Sequence, residues 1–262
     1  MPVVIVSGGT FGIGKSIVLT LAERGHQVVA FGLDSAQPSS IAEGGTRTLR
    51  AEAAERGLTV EALEADVTDS AQVARVVDRA IATFGRVDAL VNNAAIGPLG
   101  TILDTSEAMW DRVVDVNLKG MFLCCKAVLP HMIANGGGSI VNIGSGAGWG
   151  KPNMFAYASS KGGVFALGAS LAYDFFHDRI RVNTVIPGGG GIVTGMSLGR
   201  VGGDPEKLGR GVAGTAAGRN ATGDDIAMTV AFLLSPDADA ISGAVIDVGS
   251  FAHQGGPVPA KR

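Results

Sequence analysis

The stretch from Val3 to Gly14 constrains this chain more than any other. Val3-Val4-Ile5-Val6 is an unbroken, mostly β-branched run that passes directly into Ser7-Gly8-Gly9-Thr10-Phe11-Gly12-Ile13-Gly14. A strand with no polar alternation has both faces buried, which points to a parallel sheet covered by helices on each side. Apolar residues then recur at helical spacing from Ser16 to Arg24, so the segment reads strand, glycine turn, helix. Gly25 closes the helix and Gln27 to Phe31 supplies a second apolar strand, opening a right-handed βαβ unit.

The alternation continues along the chain. Ser35 to Gly45 is small and polar and reads as a loop, followed by a helix through Arg56 and a strand from Thr59 to Ala65. Ala71 to Phe84 is amphipathic, and Asp88 to Val91 is the fourth strand. The spacing predicts one long helix over Met109 to Ala134, with Pro130 at a bend or in the last turns and Gly136-Gly137-Gly138 ending it. Ser139 to Ile143 and Arg181 to Ile186 are strands separated by a helix over Phe155 to His177. Thr194 to Thr222 has no clear period and reads as a mobile substrate loop with short helices; a helix over Asp224 to Leu234 and a strand over Ala244 to Val248 follow. The pattern predicts a single doubly wound α/β Rossmann-like domain over residues 1–250, with a mostly or wholly parallel seven-stranded sheet. The tail, residues 251–262, is expected to be ordered only against another subunit.

Charge and cysteine usage narrow the function classes. Lys and Arg number 21 against 24 Asp and Glu, without long like-charge blocks, which disfavours a nucleic-acid surface. No apolar run is long enough to span a membrane, and the apolar start lacks the length and basic residues of a signal peptide. Cys124 and Cys125 are adjacent and poorly placed to bridge distant loops, so a reducing, cytoplasmic setting is expected. His26, His131, His177 and His253 share no metal-ligand spacing, and no metal site is expected. Partners are expected to be a small molecule and further copies of the chain.

Two features carry chemistry. The backbone amides of the glycine turn and the helix start behind it point to where a pyrophosphate would lie. Tyr157 and Lys161 are four residues apart on a predicted helix, hence on one face, and an ammonium beside a phenol favours the ionised form used in proton transfer. Asp34 follows the turn by about the 20 residues expected of a ribose-hydroxyl acceptor.

These segments jointly resemble the short-chain dehydrogenase/reductase family over nearly the whole chain. Ser7-Gly8-x-x-x-Gly12-Ile13-Gly14 resembles its cofactor turn, Asp66-Val67 its adenine contact, and Asn92-Asn93-Ala94-Ala95 its Asn-Asn-Ala-Gly segment. Asn117, Ser145, Tyr157 and Lys161 match its helix asparagine, strand-end serine and Tyr-x-x-x-Lys; Pro187-Gly188 and Ile192-Val193-Thr194 resemble its carboxamide segment, lengthened by Gly189 to Gly191. The resemblance implies hydride transfer between a nicotinamide and a small alcohol or ketone. Tyr157 would exchange the substrate proton, Ser145 would hold the substrate oxygen, Lys161 would bind ribose, and Asn117 would hold a relay water. The cofactor contacts it implies are Ser7, Gly8, Gly12, Ile13, Gly14, Asp66, Val67, Asn93, Ala94, Pro187, Gly188, Ile192 and Thr194, with Tyr157 and Lys161 shared. Asp34 favours NAD by repelling a 2′-phosphate, while Lys15 keeps NADP and a ketoreductase open. A dinucleotide-binding regulator without turnover needs the turn but not the proton relay. The resemblance further implies a homo-oligomer, tetramer or dimer, with the helices around Phe122 and Phe165 in its interfaces.

Overall fold

A computed structural model describes residues 1–34, 44–188, 192, 194–208 and 215–249. Seven strands, β1 (Val3–Ser7), β2 (Gln27–Gly32), β3 (Val60–Glu64), β4 (Ala89–Asn92), β5 (Gly138–Ile143), β6 (Ile180–Pro187) and β7 (Val245–Val248), form one sheet. Their order is β3-β2-β1-β4-β5-β6-β7, every neighbouring pair parallel. The order reverses between β1 and β4, the kind of switch point at which open α/β sheets leave a crevice beyond the strand ends.

The unbroken apolar strands have the burial they imply. In β1, Val4 and Val6 join the core on one face with Ile17, Leu21, Ile226 and Val230, while Val3 and Ile5 join the other with Val73, Val77 and Val128. The first face is covered by α1 (Gly12–Glu23), α2 (Thr46–Glu55) and α9 (Gly223–Leu234). The second is covered by α3 (Ser70–Phe84), α5 (Gly120–Ala134) and residues late in α6 (Phe155–Asp174).

The predicted long helix is instead two helices. It starts at α4 (Glu107–Val114), capped by the Ser106 hydroxyl on the Met109 amide, and passes through a π-helical turn, Asp115–Lys119, into α5. The wide turn carries Asn117, whose side chain is tied to another loop, as described below; hydrophobic spacing carries no signal of that tie. Pro130 lies in the last turns of α5. Within the expected substrate loop, α7 (Gly195–Gly199) and α8 (Pro205–Leu208) form. The expected loop residues 35–43, the extra glycines 189–191 and the tail 251–262 lie outside the described residues. Among those described, no helix is long and apolar enough to cross a membrane.

Leu90, fully buried in the central strand β4, tests this core. Leu90→Ala is expected to cost ~2–5 kcal/mol, read as a lower urea midpoint with an unchanged slope.

Candidate active site

At the carboxyl ends of β1 and β4, two loops are stapled together. The Ser7 hydroxyl accepts from the Asn93 and Ala94 amides at 3.0 and 3.2 Å, and Asn93 Nδ2 donates to the Ser7 and Gly8 carbonyls at 3.2 and 2.8 Å. Gly8 sits at φ +60°, where a Cβ would also meet the Ala94 backbone at 2.8 Å, and a Cβ on Gly14 would fall on the Gly8 carbonyl. Ile13 packs against the core beneath the turn. Phe11, at the start of α1, gives no side-chain cap, so the first-turn amides are left to a ligand. An uncapped helix start behind a turn with no room for side chains fits a dinucleotide pyrophosphate.

At the adenosine end, the carboxylates have structural duties. Asp34 accepts from the Thr46 amide at 2.9 Å and the Thr46 hydroxyl at 2.7 Å, securing the start of α2. Lys15 pairs with Glu52 of α2 at 2.5 Å. Gly32 ends β2, and a Cβ there would lie 2.8 Å from the buried Thr10 hydroxyl. Asp66 accepts from the Thr68 amide and hydroxyl, and Asp69 caps α3. Val67 is buried against Gly120 at the start of α5.

Tyr157 and Lys161 come together under the crevice. Lys161 is 1% exposed, and its Nζ donates to the Ile143 carbonyl at 2.7 Å and lies 5.9 Å from the Tyr157 ring centroid. Burial pulls the Lys161 ammonium down to about 7. Ser145 starts a 3₁₀ turn, Gly146–Trp149, its hydroxyl accepting from the Ala147 amide at 3.2 Å. Ala147 packs with Tyr157 and Met154, and a Cβ on Gly148 would meet the Lys161 backbone at 2.8 Å, so this turn is seated directly on α6. A Cβ on Gly144 would lie 2.8 Å from Thr184 Cγ2, which accounts for glycine beside Ser145.

The Asn117 side chain is fully committed. Its Oδ1 accepts from the Ile96 amide, and its Nδ2 donates to the Ile96 carbonyl and to Ser160 Oγ, which in turn donates to the Tyr157 carbonyl. Ile192 packs on the core, and Thr194 caps α7 with its methyl side toward Gly12. Pro187 ends β6, and Gly188 follows it, buried, at the same edge of the sheet. Two residues escaped sequence reasoning. Ser160 links Asn117 to α6, the helix that carries Tyr157 and Lys161, and Arg200, just after α7, lies with Cζ 4.9 Å from the Tyr157 ring centroid. Arg200 falls in a stretch without periodicity, so no sequence signal marks it.

A family model described as enoyl-(acyl carrier protein) reductase matches residues 8–250. The chain is 37% identical over 259 residues to 2-(S)-hydroxypropyl-CoM dehydrogenase 3 of Xanthobacter autotrophicus, covering 97% of this chain and 95% of that one. It is 34% identical over 252 residues to the 3-oxoacyl-(acyl-carrier-protein) reductase FabG of Thermotoga maritima, covering 94% and 95%. The chain belongs to the short-chain dehydrogenase/reductase family. A crystal structure of an actinorhodin polyketide ketoreductase variant with NADPH matches this short-chain dehydrogenase/reductase with a TM-score of 0.85 at 29% identity, covering 96% and 97% of the two chains. The protein is accordingly an NAD(P)-dependent oxidoreductase.

The depressed Lys161 is charged below about pH 7 and loses that charge above it, although an unfolded lysine would hold its proton to far higher pH. An anionic dinucleotide favours the charged form, so calorimetric affinity is expected to weaken by up to about tenfold per pH unit above that value. In Lys161→Met the dependence should vanish.

Proposed function

We propose that this short-chain dehydrogenase/reductase transfers hydride between NAD and a small secondary alcohol or ketone, with Tyr157 as the acid/base. The observation that carries the reading is the buried Lys161 ammonium beside the Tyr157 ring, held by the Ile143 carbonyl. A buried lysine with a single carbonyl partner among the described residues is a costly arrangement, and a merely structural position would not need it.

When bound, the nicotinamide supplies the hydride acceptor or donor. In alcohol oxidation Tyr157 takes the hydroxyl proton, and in ketone reduction it returns one to the carbonyl oxygen. Ser145 donates a hydrogen bond to that oxygen and keeps it in line with the phenol. Lys161 holds the ribose hydroxyls and stabilises the phenolate. The Asn117 side chain is occupied by Ile96 and Ser160, so the relay water rests on its main-chain carbonyl and exchanges protons through Lys161. Ser7, Gly8, Gly12, Ile13, Gly14, Asn93 and Ala94 hold the pyrophosphate side, with Asp66 and Val67 toward the adenine and Pro187, Gly188, Ile192 and Thr194 toward the carboxamide.

NAD is favoured because Asp34 keeps a carboxylate at the adenosine end and Lys15 is paired with Glu52. NADP is the second reading, supported by the NADPH-containing ketoreductase to which the chain is similar and by the engagement of both Asp34 oxygens with Thr46. The setting is cytoplasmic, in keeping with two free buried thiols. A homo-oligomer, dimer or tetramer, would cover exposed apolar residues such as Phe122 on α5; Phe165 is already stacked on Trp149 at 4.6 Å.

Tyr157→Phe should bind dinucleotide about as well as the parent chain while turnover falls ~10²- to 10⁴-fold, and normal turnover would overturn the assignment. Dissociation constants measured for both dinucleotides should be lower for NAD, and tighter NADP binding would reverse the cofactor choice.

A further inference from the structure

Arg200 is a cation in the reaction cleft with no acidic partner among the described residues. It follows α7 and is half-buried, its guanidinium set over the Tyr157 ring. One edge is fixed: Nε donates to the Gly97 carbonyl at 3.0 Å, and Nη2 contacts Met196 Sδ at 3.3 Å. Nη1 makes no hydrogen bond among the described residues, which leaves its two N–H groups open. Glycine at position 97 belongs to this arrangement, because a Cβ there would run into the guanidinium and lie 2.8 Å from Met196 Sδ. Ala147, Met154 and Met196 pack around Tyr157 as an apolar stretch of the wall.

A half-buried guanidinium without a counter-ion is less favourable than a solvated one unless something else meets it. The π face of Tyr157 offers partial compensation, and an oxyanion on the open Nη1 would complete it through charge-assisted hydrogen bonds. We propose that Arg200 anchors an anionic group of the substrate, making the substrate a small hydroxy or keto compound with a carboxylate, sulfonate or phosphate a few bonds from the reacting carbon. The short apolar wall accommodates the carbon chain between the two ends. This rests on the alcohol/ketone reading above.

The test compares matched substrates: short secondary hydroxy acids, their methyl esters, and the corresponding sulfonates and phosphate esters, each assayed with NAD and NADP. The parent enzyme should favour an anionic member over its neutral partner in kcat/KM, and the anion giving the largest ratio identifies the head group. In Arg200→Gln that ratio should fall about 10- to 100-fold, the contribution of one or two charge-assisted hydrogen bonds, with Arg200→Lys retaining part of it. Gly97→Ala, which pushes the guanidinium aside, should lower the same ratio. Calorimetric dinucleotide binding by each variant verifies an intact fold. Turnover of neutral substrates without anionic preference, or an equal loss for both members in Arg200→Gln, overturns the anchor and leaves the alcohol/ketone reading standing. Absence of turnover for every member with both dinucleotides overturns that reading and the anchor with it.

Discussion

Parallel pairing is the constraint on which the rest of this molecule depends. Parallel neighbours cannot be joined by tight hairpins, so each connection must leave the sheet and return over one of its faces. All seven strands therefore finish at the same edge, and the residues just beyond them are gathered without any fold devised for that purpose. Ser7 meets Asn93 across β1 and β4, and the Ile143 carbonyl at the end of β5 receives Lys161. Paired side chains continue this logic below the rim, where Asn92 Nδ2 donates to Asn142 Oδ1 at 2.9 Å between register partners.

The architecture was legible because its signals are local. Strands buried on both faces produce continuous apolar runs, and strands alternating with helices imply parallel pairing through crossovers. The glycine turn was equally legible, since Gly8 and Gly14 occupy places where no side chain fits. Tyr157 and Lys161 were visible through helical spacing, and burial lowers the Lys161 ammonium to about 7, which spacing alone does not announce.

What sequence reasoning could not reach are contacts between distant segments. The split of the long helix at Asp115–Lys119 accompanies bonds from Asn117 to Ile96 and Ser160, which lie on two other segments. A spacing rule sees each of those residues only among its own neighbours. Arg200 poses the same difficulty more sharply, because its setting is assembled from Gly97, Met196 and Tyr157. Cys124 and Cys125 show the opposite case: adjacent and unable to bridge distant loops, they stay free and buried in the core, and burial pushes the Cys125 thiol up to about 12.

The carboxylate of Asp34 has one further consequence. It holds the first residue of α2 through two bonds, and α2 is fastened again to the glycine-turn helix by Lys15 and Glu52. In the proposed NAD reading, recognition at the adenosine end and the anchoring of an entire helix draw on the same few atoms. An evolutionary route between cofactors that began by replacing Asp34 would loosen its own scaffold before gaining a new contact, so compensating changes around Thr46 or Glu52 become the natural companions of any such switch.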